Sequence, residues 1–278
     1  MTLGFSEHID LTLVLLYGFW IFFFGLVLYL QRESRREGYP LEVEVTGKVH
    51  TDSEIWTPKP KFWSMPDGGQ KQAPPAETNE PEFTGRALSA LDGAPYEATG
   101  NPLTDGFGPA AFCLRDDVPD KTGYGDIKIV PLRVFEEMKV LDGDNDPRGM
   151  TVVSRDGEDV GTISDLWVDR SESVIRYYEI ELGGAASSDG EQGGDDTSAV
   201  ATKRILVPNT MATIVTWKLF GSLEKPYVRV SSLNADQFDD VPTTKSADQV
   251  TRREEDRISA YYAGGQFYNR AQAAGSLT

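Results

Sequence analysis

One membrane-spanning helix, a mainly-β domain and a C-terminal helix make up the fold class this sequence predicts. Three observations predict it. A charge-free apolar run lies near the N-terminus, a series of short β-type runs fills the middle, and a charged helical pattern closes the chain.

The run is LTLVLLYGFWIFFFGLVLYL, Leu11 to Leu30. Twenty residues at about 1.5 Å of rise cover about 30 Å, the thickness of a bilayer's hydrocarbon core. Fourteen of the twenty are Leu, Ile, Val or Phe. At about −0.4 kcal/mol each, insertion gains at most about 6 kcal/mol. Glu7, His8 and Asp10 precede the run, and Arg32, Arg35 and Arg36 follow it. The positive-inside rule therefore predicts a cytoplasmic C-terminal domain and an N-terminus on the other side. A cleaved signal peptide needs a basic leading segment and small residues at the end of the run. Here the leading segment is acidic and the run ends in Tyr29, Leu30 and Gln31. Trp20 falls mid-span, a depth at which a Trp more often faces a protein helix than pure lipid.

The 278 residues leave about 250 outside the span, enough for one good domain with irregular segments or two small ones. A net charge of −17 argues against nucleic acid, whose phosphates demand a basic surface. It also argues against broad docking on anionic headgroups and favours basic protein partners, cations or protons. One cysteine, Cys113, excludes an internal disulfide and a multi-thiolate metal site. In the context AAFCL it reads as a small buried hydrophobe. Two histidines, His8 and His50, are too few for a zinc enzyme, and no nucleophile–base pair stands out.

From about Val43 to Asn101 periodicity is poor and proline frequent, which predicts extended, turn-rich chain. The interleaved Trp56, Phe62, Trp63 and Phe83 favour order against another surface, as for a chain lying on partner proteins. From about Leu103 seven β-type runs appear, at 127–132, 150–154, 163–169, 174–182, 204–208, 212–220 and 227–233. Gly, Asp, Ser and Pro turns separate them, as in a small antiparallel barrel or sandwich. The Gly/Ser/Asp block at 183–202 reads as a flexible hairpin extension. The tail from Ser246 reads as a helix capped by Ser246 or Asp248 and ended by Gly264 and Gly265. The division is thus an N-terminus at 1–10, a span at 11–31, a surface segment at 32–102, a β domain at 103–245, and a helix with tail at 246–278.

Asp142, Asp144 and Asp146 have the alternate spacing of a calcium loop. Pro147 stands where the glycine belongs and no suitable Glu follows, so a solvated turn is expected. TGYGD (Thr122 to Asp126) lacks a third glycine and reads as a turn rather than a phosphate loop. DLWVDRSESVIR is more informative, because Asp165, Asp169, Glu172 and Arg176 fall within one strand–turn–strand element. Clustered carboxylates repel, so at least one pKa is expected to rise. Such a cluster suits a proton relay, or a solvated turn with one ion pair to Arg176.

Several segments resemble the H subunit of the photosynthetic reaction centre of purple bacteria. They are YGFWIFFFGLVLYLQRESRREGYPLE (Tyr17 to Glu42), TPKPKFW (Thr57 to Trp63), PLTDGFGPAAF (Pro102 to Phe112), DLWVD (Asp165 to Asp169), LNADQF (Leu233 to Phe238) and EEDRISAYYAGG (Glu254 to Gly265). The resemblance implies a cytoplasmic domain of the PRC-barrel type on a single span. It also implies a non-catalytic subunit of the photosynthetic inner membrane, with a periplasmic N-terminus, that binds no pigment. Its partners would be the L and M subunits, which hold bacteriochlorophyll, bacteriopheophytin, quinone and non-haem iron. Membrane lipids are also implied, with a cytochrome subunit and a light-harvesting antenna as further partners the family allows. The role implied is to cap the cytoplasmic side, stabilise the complex and conduct protons to the secondary quinone.

Residue by residue, Glu172 resembles the family's glutamate near the secondary-quinone pocket, and Asp169 and Arg176 resemble its acidic and basic neighbours. The proton-uptake region departs from the pattern. Where well-known members have Asp-Gly-His-Gly-His, this chain has Thr122, Gly123, Tyr124, Gly125 and Asp126. Uptake is expected to rely on Asp126 and other surface carboxylates, with Tyr124 and Lys128 as neighbours, and zinc inhibition is expected to be weak. A competing reading is a membrane-tethered PRC-barrel adaptor without a pigment complex, which would not need the REGYPLE and TPKPKFW segments after the anchor.

Overall fold

A computed structural model of the chain describes residues 11–43, 46, 48–50, 55–65, 68–74, 83–91, 93–135, 137–183, 203–218 and 221–275. Residues 1–10 and nearly all of the Gly/Ser/Asp block fall outside them. Two compact units divide the chain, one formed by 1–80 with 87–95, the other by 81–86 with 96–278.

In the first unit, α1 (Leu11–Glu33) is the apolar run with one further turn. None of its residues is buried by the rest of the chain, so its apolar surface is offered to lipid or to other helices. With the following 3₁₀ turn it forms one helix of 26 residues, long and apolar enough to cross a membrane. The segment after it contains short antiparallel ribbons. β1 (Leu41–Val43) pairs with β2 (Lys48–His50), and β3 (Lys61–Ser64) pairs with β4 (Gln70–Ala73). The sequence showed extended chain here without these pairings, because strands of three or four residues leave almost no periodic signal. His50 ends β2. Gly85–Ala87 and Tyr96–Ala98 are two more short strands, β5 and β6.

The second unit is built on one sheet. β7 (Ile129–Pro131), β8 (Thr151–Val153), β9 (Asp159–Asp169), β10 (Val174–Leu182), β11 (Arg204–Pro208), β12 (Ala212–Lys218) and β13 (Gly221–Val230) run in the order β11-β10-β9-β8-β13-β12. Every pairing is antiparallel except β13 with β8. β9 organises the whole. It pairs with β10 along one edge, and on the other edge with β8 near its start and β7 at its end. Val, Ile and Leu dominate its core, with Val152, Leu166, Val168, Ile180, Val207 and Val228 fully or almost fully excluded from water.

α2 (Arg252–Gly275) closes over the sheet, burying Ile258, Tyr261 and Tyr262. Its start corrects the expected Ser246 or Asp248 cap. Thr251 is the cap: its Oγ1 accepts from the Glu254 N–H at 3.2 Å, and Glu254 accepts from the Thr251 N–H at 2.8 Å. The helix also runs through Gly264 and Gly265 instead of ending there. Both glycines are buried by close packing: a Cβ on Gly264 would collide with Ala110, and one on Gly265 would meet Leu233 and the Ser232 carbonyl. The pair marks close approach rather than a stop.

Cys113 is exposed, against the expected burial. Its segment is extended chain held by its backbone, with the Cys113 N–H donating to Asp256 Oδ2 at 2.6 Å. Phe112, not Cys113, packs inward, beneath the Arg257 guanidinium.

Candidate functional site

The β9–β10 hairpin builds the site. Its turn is four residues, closed by the Ser173 N–H donating to the Asp169 carbonyl at 2.8 Å, with Ser173 in the left-handed region at φ 55°. Asp169 is the last residue of β9, where β7, β9 and β10 meet: it stands opposite Val174 on β10 and Ile129 on β7. Its side chain is 0 % exposed. An ionised carboxylate at such a place must have partners, and it has four. The Ser171 and Glu172 N–H groups donate to Oδ1 at 2.9 and 3.2 Å. On Oδ2, Arg176 Nη2 sits at 3.1 Å and Lys128 Nζ at 3.4 Å. Burial alone would raise this carboxyl. The Arg176 bond, the two backbone donors and Lys128 outweigh it and hold the pKa below the usual carboxylate value.

Arg176 also reaches Glu172, with Nη2 to Oε2 at 3.0 Å. Glu172 is mostly in solvent, so Arg176 joins an exposed carboxylate to a buried one. Lys128 leads from Asp169 toward Asp120, at 3.8 Å. On the far side, α2 contributes Glu255, whose Oε2 accepts from the Tyr177 hydroxyl at 3.1 Å. Burial pushes the Glu255 carboxyl up, and Asp120 adds to the shift against Tyr177, Arg176 and Lys128. Burial and the Glu255 charge push the Tyr177 phenol up as well.

Glu172, Asp169 and Arg176 are thus brought together, and Lys128, read from sequence only as a neighbour of the uptake region, belongs to their cluster. Asp165 is separated from it. Asp165 and Glu179, opposite each other on β9 and β10, share Arg133 Nη1 at 3.0 and 2.9 Å, and Trp167 Nε1 donates to Glu179 at 2.8 Å. This buried network ties the sheet to the 244–248 segment, since Arg133 also reaches the Ala247 carbonyl and, at 3.3 Å, Asp248. The expected rise in pKa among clustered carboxylates is corrected for Asp169, because two cations and two N–H donors replace carboxylate repulsion. The raised carboxyl is Glu255, 78 positions from Tyr177, and nothing local in the sequence could have found it.

TGYGD is a turn, closed by the Thr122 N–H on the Asp126 carbonyl at 2.8 Å. Tyr124 is 98 % exposed. Asp126 lies at the surface, 3.8 Å from Arg170, whose N–H donates to the Lys128 carbonyl at 2.9 Å and so links it to the buried cluster through the backbone. Asp146 forms a chelated pair with Arg148 at 2.6 Å, the solvated turn expected of LDGDNDPRG. Among the described residues, no group of three or more His, Cys, Asp or Glu is placed to hold a metal ion.

Residues 4–134 match the family model for the photosynthetic reaction centre H-chain N-terminal region. Residues 140–219 match that of the PRC-barrel domain. The two matches follow one another in order and cover most of the chain. The chain belongs to the reaction-centre H-subunit family. The PRC-barrel match spans β8 to β12, so the β9–β10 hairpin with Asp169, Glu172 and Arg176 lies inside the barrel domain. Lys128 lies in the H-chain region, so the cluster joins the two matched regions. Membership makes this H subunit a structural subunit that associates with other reaction-centre subunits, in agreement with the one candidate spanning helix among the described residues.

Proposed function

We propose that this H subunit caps the cytoplasmic side of the L and M subunits and conducts protons to their secondary quinone. Its N-terminus would lie in the periplasm and its barrel in the cytoplasm. The bacteriochlorophyll, bacteriopheophytin, quinone and iron would all be held by partners. The observation that carries the reading is the Glu172–Arg176–Asp169–Lys128 chain, in which a solvent-facing carboxylate is linked to a fully buried one by a cation. Arginine keeps its proton at all working pH values, so Arg176 positions charge while carboxylates and water exchange protons. Glu172 would be the exchanging group nearest the quinone. Glu255, raised by burial, adds a carboxyl that trades protons closer to neutral pH. Asp126 and its exposed neighbours would collect protons from the cytoplasm.

Glu172→Gln removes the exchangeable proton while keeping a group that can bond to Arg176. Proton-coupled transfer of the second electron to the secondary quinone should slow, and primary charge separation should not change. Second-electron kinetics equal to those of the unmodified complex would remove Glu172 from the pathway. A detergent-purified complex without near-infrared bacteriochlorophyll bands would leave the adaptor reading in its place.

A further inference from the structure

A hydrogen bond ties the first turn of α2 to β10 beside the Asp169 cluster. Tyr177 lies on β10 directly opposite Trp167 of β9, and only 5 % of it reaches solvent. Its hydroxyl donates to Glu255 Oε2 at 3.1 Å. Glu255 belongs to the first turn of α2, where its N–H donates to the Thr251 carbonyl at 2.9 Å. One partner is thus fixed by the sheet and the other by the start of the helix.

Asp169 and Glu255 are held in different ways. Asp169 has two N–H donors and two cations. Glu255 is half-buried, and among the described residues the Tyr177 hydroxyl is the one hydrogen-bond donor to its carboxyl. Arg176 on β10 and Lys128 before β7 favour its charged form through charge alone, and Asp120 opposes them. The phenol keeps its own proton, because burial and the Glu255 charge both push it up. A hydroxyl is donor and acceptor at once. It can therefore donate to the Glu255 carboxylate and accept from the same group when that group is protonated. Without it, a half-buried carboxyl is left to turn toward water.

We propose that Tyr177 is a positioning residue for proton transfer, whose hydroxyl keeps the Glu255 carboxyl turned toward the hairpin cluster with or without its proton. The inference rests on the proton-conducting role proposed above. It adds to that role a residue that stays neutral throughout and acts only through Glu255.

The test uses the intact reaction centre. Proton loss from Glu255 is followed by infrared spectroscopy, as the carboxylic-acid C=O band that Glu255→Gln removes. A hydrogen bond to the charged form favours ionisation, so Tyr177→Phe should raise the pH at which the band disappears by about one unit, about a tenfold change in proton affinity. Proton-coupled transfer of the second electron should slow by a similar factor. In a Glu255→Gln background Tyr177→Phe should add nothing. Slowing by the same factor in both backgrounds would make the hydroxyl merely structural and overturn the proposal. A band that does not move would overturn it as well, and so would a moved band with unchanged kinetics. Glu172→Gln judges the pathway separately: if it left the kinetics unchanged while Tyr177→Phe slowed them, the Glu172 assignment would fall and that of Tyr177 would stand.

Discussion

Replacing Asp169 with Asn removes one negative charge from a site that receives two cations and two backbone N–H groups. The amide oxygen can still accept from one N–H, but it no longer balances Arg176 at 3.1 Å or Lys128 at 3.4 Å. Breaking a buried ion pair costs about 3–5 kcal/mol when both partners are dry. Here Arg176 is 42 % exposed and keeps Glu172, so solvent screens part of the loss. About 2–3 kcal/mol of destabilisation is expected near pH 7. Burial opposes the shift, but the Arg176 bond and the other partners leave the folded pKa of Asp169 below its unfolded value. Its stabilisation is therefore complete above about pH 4 and is lost as pH falls through the folded value. The gap between wild type and Asp169→Asn should thus be widest near neutrality and close in acid. Urea titration of the full chain in detergent, followed by tryptophan emission from pH 3 to 7, measures it. A gap under about 0.5 kcal/mol at pH 7, or one that widens in acid, would refute the ionised, doubly paired Asp169.

Three other perturbations test separate parts of the structure. Gly265→Ala puts a Cβ 2.7 Å from the Ser232 carbonyl oxygen and into Leu233, so α2 must shift; a loss of about 1–3 kcal/mol in the urea midpoint is expected, and no loss would mean the helix packs less tightly on the barrel. Glu255→Gln should remove a pH dependence. The folded carboxyl is raised by burial, so the wild type loses stability as pH rises from about 4.5 through the folded value, whereas the variant should be flat across that window; parallel profiles would refute the shift. Trp167→Phe deletes the 2.8 Å bond to Glu179 and leaves a buried carboxylate one donor short, for a loss of about 1–3 kcal/mol in thermal or urea unfolding; an unchanged midpoint would mean that Arg133, Ser164 and Arg204 satisfy Glu179 without it.

The sequence alone determined the parts governed by local chemistry. A charge-free run of bilayer length forms a helix long and apolar enough to cross a membrane, and the β-type runs at 174–182 and 204–208 coincide with β10 and β11. The nearness of Asp169, Glu172 and Arg176 was legible too, because a four-residue turn between two strands brings such neighbours together. Tertiary structure decided what those neighbours do. Lys128 reaches Asp169 because β7 pairs with the end of β9, and Glu255 reaches Tyr177 because α2 folds back over β10. The sign of a pKa shift follows from that. Asp169 is lowered by cations drawn from separate segments, while Glu255 is raised by burial that its own exposed-looking sequence, RREEDR, gives no sign of. Gly264 and Gly265 make the same point. Locally a glycine pair ends a helix, but here the missing Cβ atoms let α2 continue against Ala110, Ser232 and Leu233. Pattern and propensity act over one turn or one strand, whereas burial and charge depend on which distant segments meet.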